Sequence, residues 1–170
     1  MIKINQIIIL FLLGISVLVS YYIVFVKLYK SNKSYINHEF WFGIDINIVK
    51  ILVFFQFLAV IGFLISVIPM VFDVPSQGIL KNNLFLILYV FFISAIIWPF
   101  ATYYKKHILV VLSLIFTAIS SILLLAGSIE DKNPKWYVVL GSFLLSIVTV
   151  LGDAVLWNAN YIYKVRVLHH

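Results

Sequence analysis

The sequence predicts an all-α protein, a bundle of five transmembrane helices forming one domain over residues 1–170. Composition is the first observation that predicts this class. Of the 170 residues, 64% are hydrophobic and only 11% are charged, whereas a soluble domain usually has about 45–50% apolar and about 25% charged residues. A soluble fold of this length lacks the interior to hide so much apolar surface, so the lipid bilayer must be the solvent.

Five long apolar segments are the second observation, since a helix needs about 20 apolar residues to cross the hydrocarbon core. The segments cover about residues 7–26, 46–72, 84–103, 108–128 and 136–163. The first exceeds the apolar core of a signal peptide, about 7–15 residues, and no small-residue cleavage site follows it. We therefore expect the first segment to remain as a helix.

The connections between the segments carry most of the charge and the helix-breaking residues. Residues 27–45 form the long loop, whose end mixes aromatic and charged residues and predicts a short interfacial helix. Asp45 is expected to cap the start of the second helix. Pro75 and Gly78 are helix-breaking residues between the second and third segments and predict a loop there.

Lysine and arginine residues predict the orientation. The side of the N-terminus carries four of them, and the opposite side carries eight. The four are Lys3, Lys81, Lys132 and Lys135; the eight are Lys27, Lys30, Lys33, Lys50, Lys105, Lys106, Lys164 and Arg166. Because cytoplasmic loops carry the excess of positive charge, the N-terminus is predicted outside and the C-terminus in the cytoplasm. We therefore attribute the net charge of +6 to loops that set the orientation in the membrane, rather than to a surface that binds nucleic acid.

Polar residues recur along the fifth segment at spacings of three and four, the period of one helical face. We call these residues the polar stripe: Ser142, Ser146, Thr149, Asp153, Trp157, Asn160 and Lys164. The opposite face is expected to meet lipid, through Leu145, Val148, Val155 and Ile162. Gly141 and Gly152 are expected to let a neighbouring helix approach closely.

Asp153 is the acid that this segment places deep in the membrane. It lies about ten residues from the inner end, roughly 15 Å, which is near the middle of a core about 30 Å thick. An ionised carboxylate there costs roughly 2.5–3.5 kcal/mol, so the acid must bind a proton, water or a partner. The other segments offer polar groups at a similar depth: Ser16, Ser20, Gln56, Ser94 with Trp98 one turn lower, and Thr117. We therefore expect a polar centre in which Asp153 is the ionisable group.

The function predicted from this centre is transport of a proton, an ion or a small solute by a small transporter or channel. The residues expected to carry it are Asp153, Trp157, Asn158, Asn160, Gln56, Ser94, Trp98 and Thr117. One alternative is a ligand-binding or sensing protein, whose pocket for a small apolar molecule is framed by Trp98, Trp157, Asn158 and Asn160. Another is a non-catalytic subunit that docks on a larger membrane complex through its small-residue faces. In the structural alternative, Asp153 is only a hydrogen-bond clamp between helices.

Several chemistries are excluded or disfavoured. The chain has no cysteine, which excludes disulfides and thiolate sites. The predicted spans contain no histidine, which disfavours haem, and His38 with Glu39 lacks the spacing of a metal site. One buried carboxylate is little for acid–base catalysis, so an enzyme is disfavoured. We expect no cofactor and no metal; the expected partners are the lipid bilayer, an ion or small molecule, and a second copy of the chain, but no nucleic acid.

Overall fold

A computed structural model describes residues 4–32, 46–159 and 162, and this part of the chain is all-helical. The helices are α1 (Ile4–Asn32), α2 (Ile46–Phe72), α3 (Leu80–Tyr103), α4 (His107–Glu130) and α5 (Trp136–Ile147), and a π-helical segment (Val148–Trp157) continues α5. Five spans within them are long and apolar enough to cross a membrane, with mean hydropathies of 2.2 to 2.8. The prediction of five such helices is confirmed.

The helix bounds differ from the predicted segments mainly at polar ends. α2 has the predicted bounds, but α1 continues to Asn32 and α3 already begins at Leu80. A helix bonds its own backbone whatever its side chains, so it extends past the apolar run into polar sequence. The predicted Asp45 cap and interfacial helix fall on residues 33–45, which lie outside the described residues.

The helices pack as neighbours in the order α1, α3, α4, α5 and α2. Aromatic contacts also join α2 to α3, since the Phe63 and Phe91 rings stack with their centroids 5.5 Å apart. Outward faces remain apolar; Phe11 and Leu18 on α1 are 68% and 72% exposed. Such exposure is unfavourable in water and normal in lipid.

α2 and α5 cross at two glycines. A Cβ atom on Gly62 would lie 2.7 Å from the Gly141 carbonyl oxygen, and one on Gly141 would lie 2.6 Å from that of Gly62. This confirms the close approach predicted for Gly141. The same prediction is wrong for Gly152, because a Cβ atom there would lie 3.8 Å from Leu52, an ordinary van der Waals distance.

The predicted lipid face of the fifth helix is partly wrong. Val155 and Ile162 are exposed, but Leu145 and Val148 are buried. α5 has neighbours on more than one side, because α2 and α4 both pack on it. An apolar side chain opposite the polar stripe can therefore still face protein.

A network at one end of the bundle joins the α2–α3 connection to the α4–α5 connection. We call it the loop cluster, and its members are Asp73, Ser76, Glu130, Asp131 and Lys135. Lys135 Nζ lies 2.6 Å from Asp73 Oδ2, and the Ser76 backbone N–H donates to Asp131 Oδ1 at 3.2 Å. Glu130 Oε2 accepts from the backbone N–H of residue 79 at 3.0 Å. These bonds hold the two connections together.

Candidate functional site

Asp153 lies in the middle of the ten-residue π-helical segment, Val148–Trp157. The hydrogen bonds of a π-helix join residues five apart rather than four, which widens the helix. Most π-helical stretches are single turns inside α-helices, and they occur often at functional sites. The spacing of three and four between its polar residues is the α-helical period and predicts an ordinary α-helix, which differs from the π-helical bonding found here.

The Asp153 side chain is partly buried between helices rather than facing lipid alone. Gln56 on α2 is its hydrogen-bonding neighbour. Tyr21 on α1 lies within electrostatic range of the carboxyl group. The acid thus has an amide and a phenol around it, each from a different helix.

An aromatic group lies next to the acid. The Trp98 indole Nε1 donates a 2.8 Å hydrogen bond to the Tyr21 hydroxyl. The Trp98 and Trp157 rings meet edge to face with centroids 4.9 Å apart. Trp98 and Trp157 are 4% and 1% exposed, so the indoles form a packed layer. We call the whole set the Asp153 cluster: Tyr21, Gln56, Trp98, Asp153 and Trp157.

The structure therefore gathers Gln56 and Asp153 with the two indoles predicted for the site. Asn158 follows Trp157 and is 5% exposed. Its Oδ1 accepts no hydrogen bond from the described residues. Asn160 lies outside the described residues.

Ser94 and Thr117 are used differently. Thr117 Oγ1 donates to Ser94 Oγ at 3.0 Å, which links α4 to α3. The Ser94 hydroxyl donates to the Val90 carbonyl oxygen of its own helix, and the Thr117 Oγ1 lies 2.9 Å from the Ser113 carbonyl oxygen of its own helix. The described bonds of the two hydroxyls therefore lie within their helices or between α3 and α4.

Tyr21 is the member that sequence reasoning missed. Ser16 and Ser20 were expected to be the polar groups of α1, but Ser16 is exposed and bonds its own helix at Leu12. Ser20 is buried and bonds Val17. A phenol inside an apolar segment was the available signal, because a buried tyrosine hydroxyl usually needs a partner.

A row of hydroxyls connects α4 to the fifth helix on the N-terminal side of Asp153. Ser121 Oγ lies 2.6 Å from Thr149 Oγ1. Ser146 Oγ donates to the Ser121 carbonyl oxygen at 2.7 Å. Thr149 lies four positions before Asp153, so this row begins next to the acid.

The cluster can hold a proton or a small cation, because a carboxylate accepts and an amide both donates and accepts. The described residues contain no group of three or more histidine and acidic side chains that could hold a metal ion. The five apolar helices, with an acid between them, have the features of a helical membrane protein. Comparison with protein-family models, curated protein sequences and solved structures finds no match to this chain.

Proposed function

We propose that this chain is a small multi-pass membrane transporter or channel that moves a proton, an ion or another small solute, with Asp153 as the group that binds it. One observation carries the proposal: the acid lies between helices, in a π-helical segment, with Gln56 as its hydrogen-bonding neighbour. A clamp between helices could be made by asparagine without the cost of a buried charge, roughly 2.5–3.5 kcal/mol. An acid is needed where the site must change its charge, as it does when a carboxyl group binds and releases a proton.

Gln56 suits both states of the acid. Its amide NH₂ can donate to the ionised carboxylate, and its carbonyl oxygen can accept from the protonated acid. Proton uptake or release therefore leaves neither side chain without a partner. This matters because an unsatisfied buried polar group costs about 1–3 kcal/mol.

Tyr21 adds a second donor. Its oxygen accepts the Trp98 indole N–H, which orients the hydroxyl and leaves its proton to be donated elsewhere. Asp153 is the acid in electrostatic range of this phenol. The ionised carboxylate would thus be stabilised from α1 and α2 together.

The orientation belongs to the same proposal. Excess positive charge on one side supports an external N-terminus and a cytoplasmic C-terminus. The loop cluster is then external, and the α3–α4 connection is cytoplasmic. A second copy of the chain as partner stays a prediction from the sequence.

The test is flux through liposomes that contain the purified protein and a pH-sensitive dye, with sodium, potassium or no cation gradient. Asp153→Asn should reduce flux by about a hundredfold or more, as for loss of a group essential to the cycle. Glu130→Gln, which changes an exposed acid at the end of α4, should retain flux. Unchanged transport by a well-folded Asp153→Asn variant would end the proposal.

Ligand binding is the second candidate, and the buried Asn158 Oδ1 favours it. An acceptor with no partner among the described residues is suited to a ligand that brings one N–H or O–H donor into an apolar site. Asn158→Leu should then abolish saturable quenching of tryptophan fluorescence by such a ligand. The exposed Asn133→Leu is the control.

A further inference from the structure

The row of hydroxyls next to Asp153 continues toward the loop cluster. Ser142 lies four positions before Ser146 on α5, is fully buried, and its Oγ makes no hydrogen bond with the described residues. Four positions earlier again is Val138, which lines a small cavity. Ser128 of α4 lines the same cavity. We call this set the hydroxyl file: Thr149, Ser121, Ser146, Ser142 and Ser128.

The cavity at the end of the file has a volume of about 20 Å³. A space of about 10–15 Å³ on this measure is enough for one water molecule that has polar partners. Its lining supplies them, since it includes Ser128 and three charged members of the loop cluster, Asp73, Asp131 and Lys135. The cavity is therefore large and polar enough for one water molecule, and it lies on the side of the membrane that we propose to be external.

The spacing of the file suits bridging water. Residues four apart on an α-helix are separated by about 6 Å along the axis. That distance is too long for a direct hydrogen bond, so a path along the file needs water between the hydroxyls. Ser146 and Ser142 have this spacing, and Ser142 is as far again from Val138, whose apolar side chain forms part of the cavity wall.

On the other side of Asp153, toward the C-terminal end of the fifth helix, aromatic rings close the route that water would take. Trp157 lies four positions beyond the acid and packs edge to face on Trp98. Both indoles are almost completely buried. Water would thus reach the acid from one side of the protein only.

We propose that the hydroxyl file is a narrow water path that connects Asp153 to the loop-cluster side of the membrane, while the Trp98–Trp157 layer closes the other side. The path rests on the proposed function, since it gives the transported proton or ion its access to the acid. Ser142 distinguishes a path from simple helix adhesion. A hydroxyl that only holds helices together makes a hydrogen bond to a neighbour, whereas the Ser142 Oγ makes none with the described residues.

The test uses the absence of cysteine from the chain. Ser142→Cys and Ser146→Cys are each exposed to silver ion, added separately on either side of sealed liposomes. Ser113→Cys and Ser20→Cys are matched controls, because both serines are buried but lie outside the file. Two positions in the file are used so that a misfolded variant at one leaves the other to decide.

We expect modification of the file cysteines to be at least about tenfold faster than that of the controls, and only from the loop-cluster side, because thiol reactivity requires access. Equal rates at file and control positions would overturn the path. Faster reaction from the opposite side would overturn the closure by the two indoles.

Flux measurements separate this inference from the proposed function. Ser142→Ala should lower flux by about tenfold, because loss of the hydroxyl breaks a chain of hydrogen bonds. If flux depends on Asp153 but the file cysteines are unreactive, the path is wrong and the transport function stands. If the file cysteines react but Asp153→Asn transports normally, the path stands and the transport function is wrong.

Discussion

The indole of Trp98 donates a 2.8 Å hydrogen bond to the hydroxyl of Tyr21, and their ring centroids lie 5.4 Å apart, edge to face. This contact joins α3 to α1, whose surface is otherwise largely apolar and exposed. A hydrogen bond is directional, whereas contacts among lipid-like side chains are not. The pair therefore fixes the rotation of α1 and brings its phenol toward Asp153.

Tyr21→Phe should lower the free energy of unfolding by about 1–3 kcal/mol, because it removes an acceptor from a buried indole N–H. Thermal unfolding in detergent, followed by tryptophan fluorescence, measures the loss. Tyr22→Phe is the matched control, since Tyr22 is the next residue and is 70% exposed. Equal melting temperatures for the two variants would contradict a structural role for the pair.

Gly62→Ala and Gly141→Ala should each destabilise the protein by about 1–3 kcal/mol, the usual cost of inserting an atom into a packed site. Each new Cβ atom would lie within 2.7 Å of a carbonyl oxygen on the opposing helix, so α2 and α5 must separate. Gly152→Ala is the control, because its Cβ atom has nothing nearer than 3.8 Å. A Gly62→Ala variant as stable as the control would mean that the helices do not cross at these glycines.

Single cysteines report the orientation. Asn133→Cys introduces an exposed thiol in the α4–α5 connection, and His107→Cys introduces an exposed thiol at the first residue of α4, at the opposite end of that helix. A membrane-impermeant maleimide applied to intact cells should label the first variant, and the second only after permeabilisation. Neither change alters a lysine or arginine, so the charge bias that sets the orientation is kept. The opposite labelling pattern would show an inverted protein.

The ion pair between Lys135 and Asp73 should make stability depend on alkaline pH. Its hydrogen bond is the main cause that raises the pKa of Lys135 above the ordinary value of 10.5. The stabilisation is therefore complete below pH 10.5 and is lost as the pH rises through the higher pKa of the folded state. The melting temperatures of the wild type and of the Lys135→Gln variant should differ at pH 8 and converge in strong alkali.

The control for this pH dependence is Lys132→Gln, which removes an exposed lysine from the same connection. The effect of Lys135→Gln should be small and should weaken with added salt, because both partners are partly exposed and screened by solvent. A difference between wild type and Lys135→Gln that persists unchanged above the folded pKa would assign the effect to packing.

The polar stripe shows how much of the helix packing can be predicted from the local spacing of polar residues. Its period correctly indicated that Ser142, Ser146 and Thr149 face the interior, and all three are buried. The same period indicated lipid on the far side of the helix, which is wrong at Leu145 and Val148. A periodic pattern reports which face is polar, but it does not report how many neighbouring helices cover the others.

Tyr21 and the π-helical segment show a second limit. An aromatic residue in an apolar segment can belong to the interface with lipid headgroups or to a buried contact, and its own sequence neighbours do not decide between them. The change from α- to π-helical bonding likewise leaves the spacing of polar residues intact. Both features depend on the helices packed alongside.

What the sequence by itself determined is the number of apolar helices and their approximate extent, because a helix in lipid bonds its own backbone and needs only sufficient apolar length. Only the tertiary structure decided which side chains surround Asp153, where two glycines let α2 and α5 meet, and how the loop cluster ties the connections together. Those contacts depend on the rotation of each helix against residues distant in the chain, and on single hydrogen bonds between them that have no local signature.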